Sequence, residues 1–210
     1  LPAEDEDLLT TELRTSLLSA GLVLRSKSVL EFGESQFQEY LAGNEIHRDI
    51  LASVLKIGTN TYPEAKDWLA ERCTNASLSE GERIKALAAM GYLSEENDLK
   101  DALDLNFDHV SRSSRHHMLG EAALNPAAFD WMWAWFIEHL KKVEELPPSY
   151  VQGIIVRLVP LSGIGHHEQV KAYLADFVAR HPKTTDSIRM AMEFLAVNEK
   201  LAGGNHQGEI

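Results

Sequence analysis

The sequence predicts an all-α protein built as an α-solenoid, a stack of antiparallel helix pairs. Three observations carry that expectation: apolar residues recur at helical spacing, helix-start signals recur along the chain, and one helix ending repeats about every 35 residues. Ile84, Leu87, Ala88 and Gly91 fall at i, i+3, i+4 and i+7, the stripe of an amphipathic helix. Ser79 and Glu82 stand in front of it with capping-box spacing, and the pattern returns at Ser28/Glu31, Thr61/Glu64 and, with glutamine, Ser149/Gln152. Asn125-Pro126 is a different start signal, an N-cap followed by proline at the first helical position.

Taken in order, these signals place helices at about 5–20, 28–42, 47–57, 62–73, 80–90, 95–103, 111–123, 126–143, 149–159, 166–180 and 185–200. The segment Val151 to Val159 is β-branched enough to pass for a strand. Its Pro147-Pro148 entry and the Ser149/Gln152 spacing favour a buried helix.

Leu17-Leu18-Ser19-Ala20-Gly21, Val54-Leu55-Lys56-Ile57-Gly58 and Leu87-Ala88-Ala89-Met90-Gly91 are three versions of one helix ending, 37 and 33 residues apart. Each glycine is expected just past a helix C-terminus in the left-handed conformation. Leu119–Leu124 and Leu158–Gly163 are weaker fourth and fifth copies. A period near 35 with two helices per unit indicates stacked αα-hairpins of the HEAT or armadillo kind. Residues 1–201 are expected to form one α-solenoid domain, with 202–210 a flexible tail.

Composition narrows the functional classes. The 210 residues carry 20 basic and 32 acidic side chains, a net charge of −12. That argues against nucleic acid and against an anionic membrane surface as partners. No apolar run approaches the roughly 20 residues that span a bilayer. Leu1-Pro2-Ala3-Glu4-Asp5-Glu6-Asp7 is acidic where a signal peptide is basic. The chain reads as a piece of a longer one, and its expected location is cytoplasmic. A single cysteine, Cys73, excludes an intrachain disulfide and a multi-cysteine metal cluster.

Candidate chemistry is sparse. His116-His117 and His166-His167 are adjacent pairs, and neighbours on a helix point about 100° apart, which suits surface or capping roles better than chelation. No H-E-x-x-H occurs, so no metal site and no catalytic residue is assigned within these 210 residues. Cys73 falls on the apolar side of its helix and reads as a buried thiol rather than a nucleophile. Gly163-Ile164-Gly165 lacks the preceding strand and the lysine of a phosphate loop and reads as a linker. Asn75-Ala76-Ser77 has the form of a glycosylation acceptor, without secretory evidence for its use. Phe129, Trp131, Trp133, Trp135 and Phe136 crowd one helix, where core packing outweighs a ligand platform.

Asn125-Pro126 followed by Trp131, Trp133, Trp135, Phe136 and Leu140 resembles the signature near the end of the zinc aminopeptidases. That family includes aminopeptidase N, puromycin-sensitive aminopeptidase, the endoplasmic-reticulum aminopeptidases and the archaeal tricorn-interacting factors. Leu13-Arg14 through Leu17-Leu18 to Gly21 is similar to the first helix of their C-terminal domain. Ile50 to Gly58 with Trp68-Leu69, Ser162 to Tyr173, and Met192 to Leu201 follow in the family's order. The resemblance covers about residues 10 to 201. It implies a non-catalytic domain without a cofactor of its own, attached to a thermolysin-like domain of the same chain that holds zinc and the H-E-x-x-H motif. Such a domain curves over the active site, encloses a chamber and gates access of peptide substrates. Some members place a basic residue on the helix matching Ser149–Val159 to meet an acidic substrate group. Here Gly153 takes that place, and Arg157, one turn on, is the substrate-chamber candidate. The alternative is a free-standing HEAT-like scaffold that binds a protein partner in its concave groove.

Overall fold

A computed structural model describes residues 7–62 and 64–204, and every described regular element is a helix. None is long and apolar enough to cross a membrane. The chain divides into two compact units, the first comprising residues up to Val110 with Asn125–Ala127, the second Ser111–Leu124 with Ala128 onward.

The first unit holds α1 (Leu8–Val23), α2 (Lys27–Leu41), α3 (Arg48–Thr61), α4 (Ala65–Thr74), α5 (Glu80–Met90) and α6 (Glu96–His109). From α1 to α5 each helix packs on the next, and helices two places apart also touch: α1 on α3, α3 on α5, α4 on α6. That pattern is a stack of helix pairs in two layers, as the repeat predicts. Leu22, Ile57 and Tyr92 form one core cluster, with Val29 and Leu30 of α2 against it. Lys66 of α4 reaches Asp98 at 2.7 Å and Asp101 at 2.9 Å on α6, and these hydrogen-bonded carboxylates raise its pKa.

The second unit holds α7 (Arg115–Ala122), α8 (Met132–Glu138), α9 (Leu140–Val143), α10 (Pro148–Ser162), α11 (His167–Arg180) and α12 (Thr185–Gly204). Its axis is α10, which touches α7, α8 and α12, while α11 pairs with α12. The stretch Val151 to Val159 is helical, entered through Pro147 as N-cap and Pro148 at the first position. Trp133 and Phe136 are fully buried and Trp135 nearly so, which makes the aromatic segment a core element. The Trp133 indole N–H donates to Gln169 Oε1 at 2.8 Å, which satisfies its polar edge.

Several expectations need correction. The segment 126–143 is not one helix: it runs as a 3-10 turn at Pro126–Ala128, then α8 and α9, with Trp131 and His139 as non-helical caps. Of the four capping boxes only Ser79/Glu82 forms. Ser28 and Ser149 lie inside first turns that begin one residue earlier, at Lys27 and Pro148. Thr61 ends α3 and donates back to Ile57 O at 3.1 Å. Residues 202–204 continue α12, and 205–210 lie outside the described residues.

The glycine motif is the main correction. Gly21 and Gly58 lie inside α1 and α3, and Gly91 caps α5 at φ −62°, so none is left-handed. They recur for a different reason in the first two cases, because a neighbouring side chain occupies the space of their missing Cβ. A Cβ on Gly21 meets Val29 at 2.5 Å, and one on Gly58 meets the Phe37 ring at 2.2 Å. The left-handed caps are Arg25 (φ 52°) after α1 and Gly43 (φ 91°) after α2. Both complete Schellman pairs: Ser26 N to Gly21 O at 2.7 Å with Arg25 N to Leu22 O at 3.1 Å, and Asn44 N to Glu39 O with Gly43 N to Tyr40 O.

Three substitutions separate the two uses of glycine in urea melts. Gly43→Ala costs about 1 kcal/mol, because only the left-handed backbone objects. Arg25→Gly is neutral or stabilising by up to about 1 kcal/mol. Gly58→Ala costs more than about 2 kcal/mol, because Phe37 is buried and has nowhere to move. Equal costs for Gly43→Ala and Gly58→Ala contradict the distinction.

Candidate functional site

Within the second unit, α10 carries the residues that the sequence singles out. Its inward side chains Val151, Ile154, Ile155, Leu158 and Val159 are buried and fix its rotation, so Gly153 and Arg157 point outward. Arg157 lies across the backbone of α7, with Nη1 2.8 Å from where a Cβ on Gly120 would stand. The same nitrogen is 3.7 Å from Glu121 Oε1, and the arginine side chain stays 47% exposed. Gly120 thus seats the guanidinium, and Glu121 offsets its charge without burying it.

Beside this pair is an aromatic stack. The His116 and Tyr150 rings lie nearly parallel at 3.8 Å, and the His117 ring is tilted by 37° to His116 at 4.0 Å. Backbone geometry alone suggests that adjacent histidines diverge, but their rings tilt together here. His116 Nδ1 is buried, and the Ser113 backbone is the hydrogen-bonding group beside the ring. Burial, with the nearby His117 and Arg157 charges, lowers the His116 pKa from 6.5, so the neutral ring is favoured.

Tyr150 also borders a cleft of about 830 Å³, lined by Arg112, Pro147, Pro148, Phe177, Arg180 and their neighbours. Its acidic wall is neutralised internally. Glu144 accepts from Arg180 Nη2 at 2.7 Å and Nη1 at 3.2 Å, and from the Tyr173 hydroxyl at 3.2 Å. Burial first, and then the Glu144 charge, pushes the Tyr173 hydroxyl far above its usual range, so it remains a donor. Glu144 in turn holds Arg180 charged. The result is a largely apolar cleft in which Arg180 and Tyr173 compensate Glu144, while Glu145 on the same wall stands 3.9 Å from Arg115. Sequence reasoning missed it because its walls come from three segments, near 112, 144–151 and 177–181.

The remaining candidates are structural. Among the described residues no three His, Cys, Asp or Glu side chains stand close enough to hold a metal ion. His167 pairs with Glu199 at 3.0 Å, tying α11 to α12, and His166 precedes α11 as its N-cap residue. Asn75 Oδ1 accepts from Ser77 N at 2.9 Å and Ser77 Oγ at 2.6 Å, an Asx turn after α4. Gly165, at φ 80°, turns the linker between α10 and α11. Cys73 is buried with its Sγ 3.3 Å from Met90 Sδ, and burial pushes its thiol up to about 12.

In the first unit Asn125 does more than start a helix. Fully buried, it donates from Nδ2 to Gly91 O at 3.0 Å and Leu93 O at 2.7 Å, while its Oδ1 accepts from Ala127 N. One amide therefore closes the end of α5 and opens the next turn.

Two measurements check this chemistry. Cys73 should be unreactive toward an aromatic disulfide at pH ~8 in the folded protein and react fully in denaturant. Prompt reaction without unfolding contradicts its burial. His116 works through linkage: a base with a lowered folded pKa leaves the unfolded state binding more protons. Its stabilising effect is complete above 6.5 and is lost as the pH falls below that value. Urea midpoints at pH ~7.5 and ~5.5 should fall further for the native protein than for His116→Phe, which keeps the stack on Tyr150. Parallel losses contradict the assignment.

Among known families, the chain matches the one described as the ERAP1-like C-terminal domain, over residues 1–195. No curated protein matches the chain. The matched span takes in the helix pairs of the first unit, the Asn125 network, the aromatic core and α10 with Arg157. The chain belongs to the ERAP1-like C-terminal domain family, the helical C-terminal domain of zinc aminopeptidases.

Proposed function

We propose that residues 1–201 act as the non-catalytic C-terminal domain of a zinc aminopeptidase, capping the active-site chamber and gating peptides from which N-terminal residues are removed. The supporting observation, beside family membership, is the outer face of α1. Leu9, Leu13 and Leu17 are 60–76% exposed on a helix whose Leu18 and Leu22 are already buried inward, and Leu24, its C-cap, is 80% exposed. A helix apolar on both sides wants a second partner. In this family the natural partner is the thermolysin-like domain of the same chain. Zinc and the hydrolytic step belong there, and no residue described here is given a part in them.

The domain's own contribution is geometric. Enclosure of a substrate excludes water and completes the site, so an enzyme of this build gains by closure without a catalytic residue from its cap. Arg157 is the residue proposed to meet the far part of a peptide. Its guanidinium is exposed, seated on Gly120 and only loosely held by Glu121, so an acidic substrate group competes for it on nearly even terms.

Arg157→Glu in the intact enzyme tests this role. kcat/KM for a long peptide with an acidic distal residue should fall about tenfold, and that for a single-residue reporter by less than about twofold. Arg157→Lys should restore most of the loss. Equal changes for the two substrates, at matched thermal stability, contradict the contact.

A further inference from the structure

The last helix has a second apolar face. On α12, Ile188, Ala191 and Leu195 are buried against the second unit. On another side Met190 (48% exposed), Phe194 (56%), Val197 (52%) and Leu201 (65%) form a continuous outward stripe. Their steps of four, three and four residues are those of the alternating d and a positions of a heptad. That spacing distinguishes α12 from α1, where Leu9, Leu13 and Leu17 advance by four each and drift off any straight seam.

The charges beside the stripe have the same register. Glu193 and Lys200 occupy successive flanking g positions, both exposed. In an antiparallel pair of identical helices, g positions of the two chains face each other. Glu193 of one copy then meets Lys200 of the partner subunit, and the two-fold axis repeats the contact. Arg189 already holds Glu193 at 2.7 Å on its own helix, which orders the carboxylate without consuming both its oxygens. The stripe is thus complementary to itself in shape and in charge.

From this register we infer that α12 is a homodimer contact, pairing antiparallel with α12 of a second copy of this chain. A single two-helix seam falls below the ~800 Å² per partner of a standard interface, so the dimer is a weak, concentration-dependent one. The inference does not depend on the peptidase role, because its readout is mass and not turnover.

Sedimentation velocity of the intact protein over a dilution series tests it. A monomer–dimer equilibrium is expected, with Kd raised about a hundredfold by Phe194→Glu. Circular dichroism and the melting temperature should not change, because Phe194 is outside the core. The charge pair fixes the orientation. Glu193→Lys and Lys200→Glu should each raise Kd severalfold, and the double swap should bring it back toward the native value. A protein monomeric throughout the series overturns the contact, as does a dimer indifferent to Phe194→Glu. Failure of the double swap to recover overturns the antiparallel register.

Discussion

The helices of this chain run from four to twenty residues, and helices of that length have little stability in water by themselves. Each must be held by helices packed against it, and that requirement shapes both units. In the first unit α3 meets the need for α1, α2 and α5; in the second α10 does so for α7, α8 and α12. Close approach makes the contacts effective. Gly58 admits the Phe37 ring, and Gly33 admits Ile57, at distances that no Cβ would tolerate. Asn125 meets the complementary need, supplying donors to carbonyls at a helix end that packing has removed from water. Removing either device leaves a helix with a face or an end that nothing else satisfies.

The same local rules decide what was legible in the sequence. Helix existence follows from apolar spacing, which the structure must respect wherever one face is buried. Even Val151–Val159 reads correctly, because two prolines can open a helix but cannot sit in a central strand. Glycine is ambiguous by nature. The same residue serves a left-handed cap at Gly43 and a close contact at Gly58, and only the neighbouring helix distinguishes them. Arg25 is invisible as a cap because arginine has no preference for that backbone. The break at His139 within the aromatic segment is hidden by strong helix formers on both sides. Arg157 is legible as an exposed cation on α10. Its seat on Gly120 is not, since it depends on how α7 crosses.

A domain of this kind acts through surfaces. The leucines of α1, the cleft beside Tyr150 and the stripe of α12 are three exposed features with different chemistry: broad and apolar, apolar with a cationic edge, and apolar with paired charges of both signs. An acidic chain keeps such surfaces from sticking indiscriminately, since the net charge of −12 opposes non-specific association. Within the cleft, Glu144 is bound by Arg180 and Tyr173, so its carboxylate does not repel an incoming acidic group.

Coupling between this domain and its catalytic partner is the central claim, and the dependence of turnover on peptide length reports it most directly. The measurement is kcat/KM across a ladder of peptides in the intact enzyme, compared with a variant carrying Leu13→Glu and Leu17→Glu on the outer face of α1. Both leucines are exposed, so the helix should remain folded while the apolar face proposed for docking is lost. The account predicts a length profile in the native enzyme that flattens in the variant, with hydrolysis of a single-residue reporter retained. An unchanged length profile in the folded variant would contradict it.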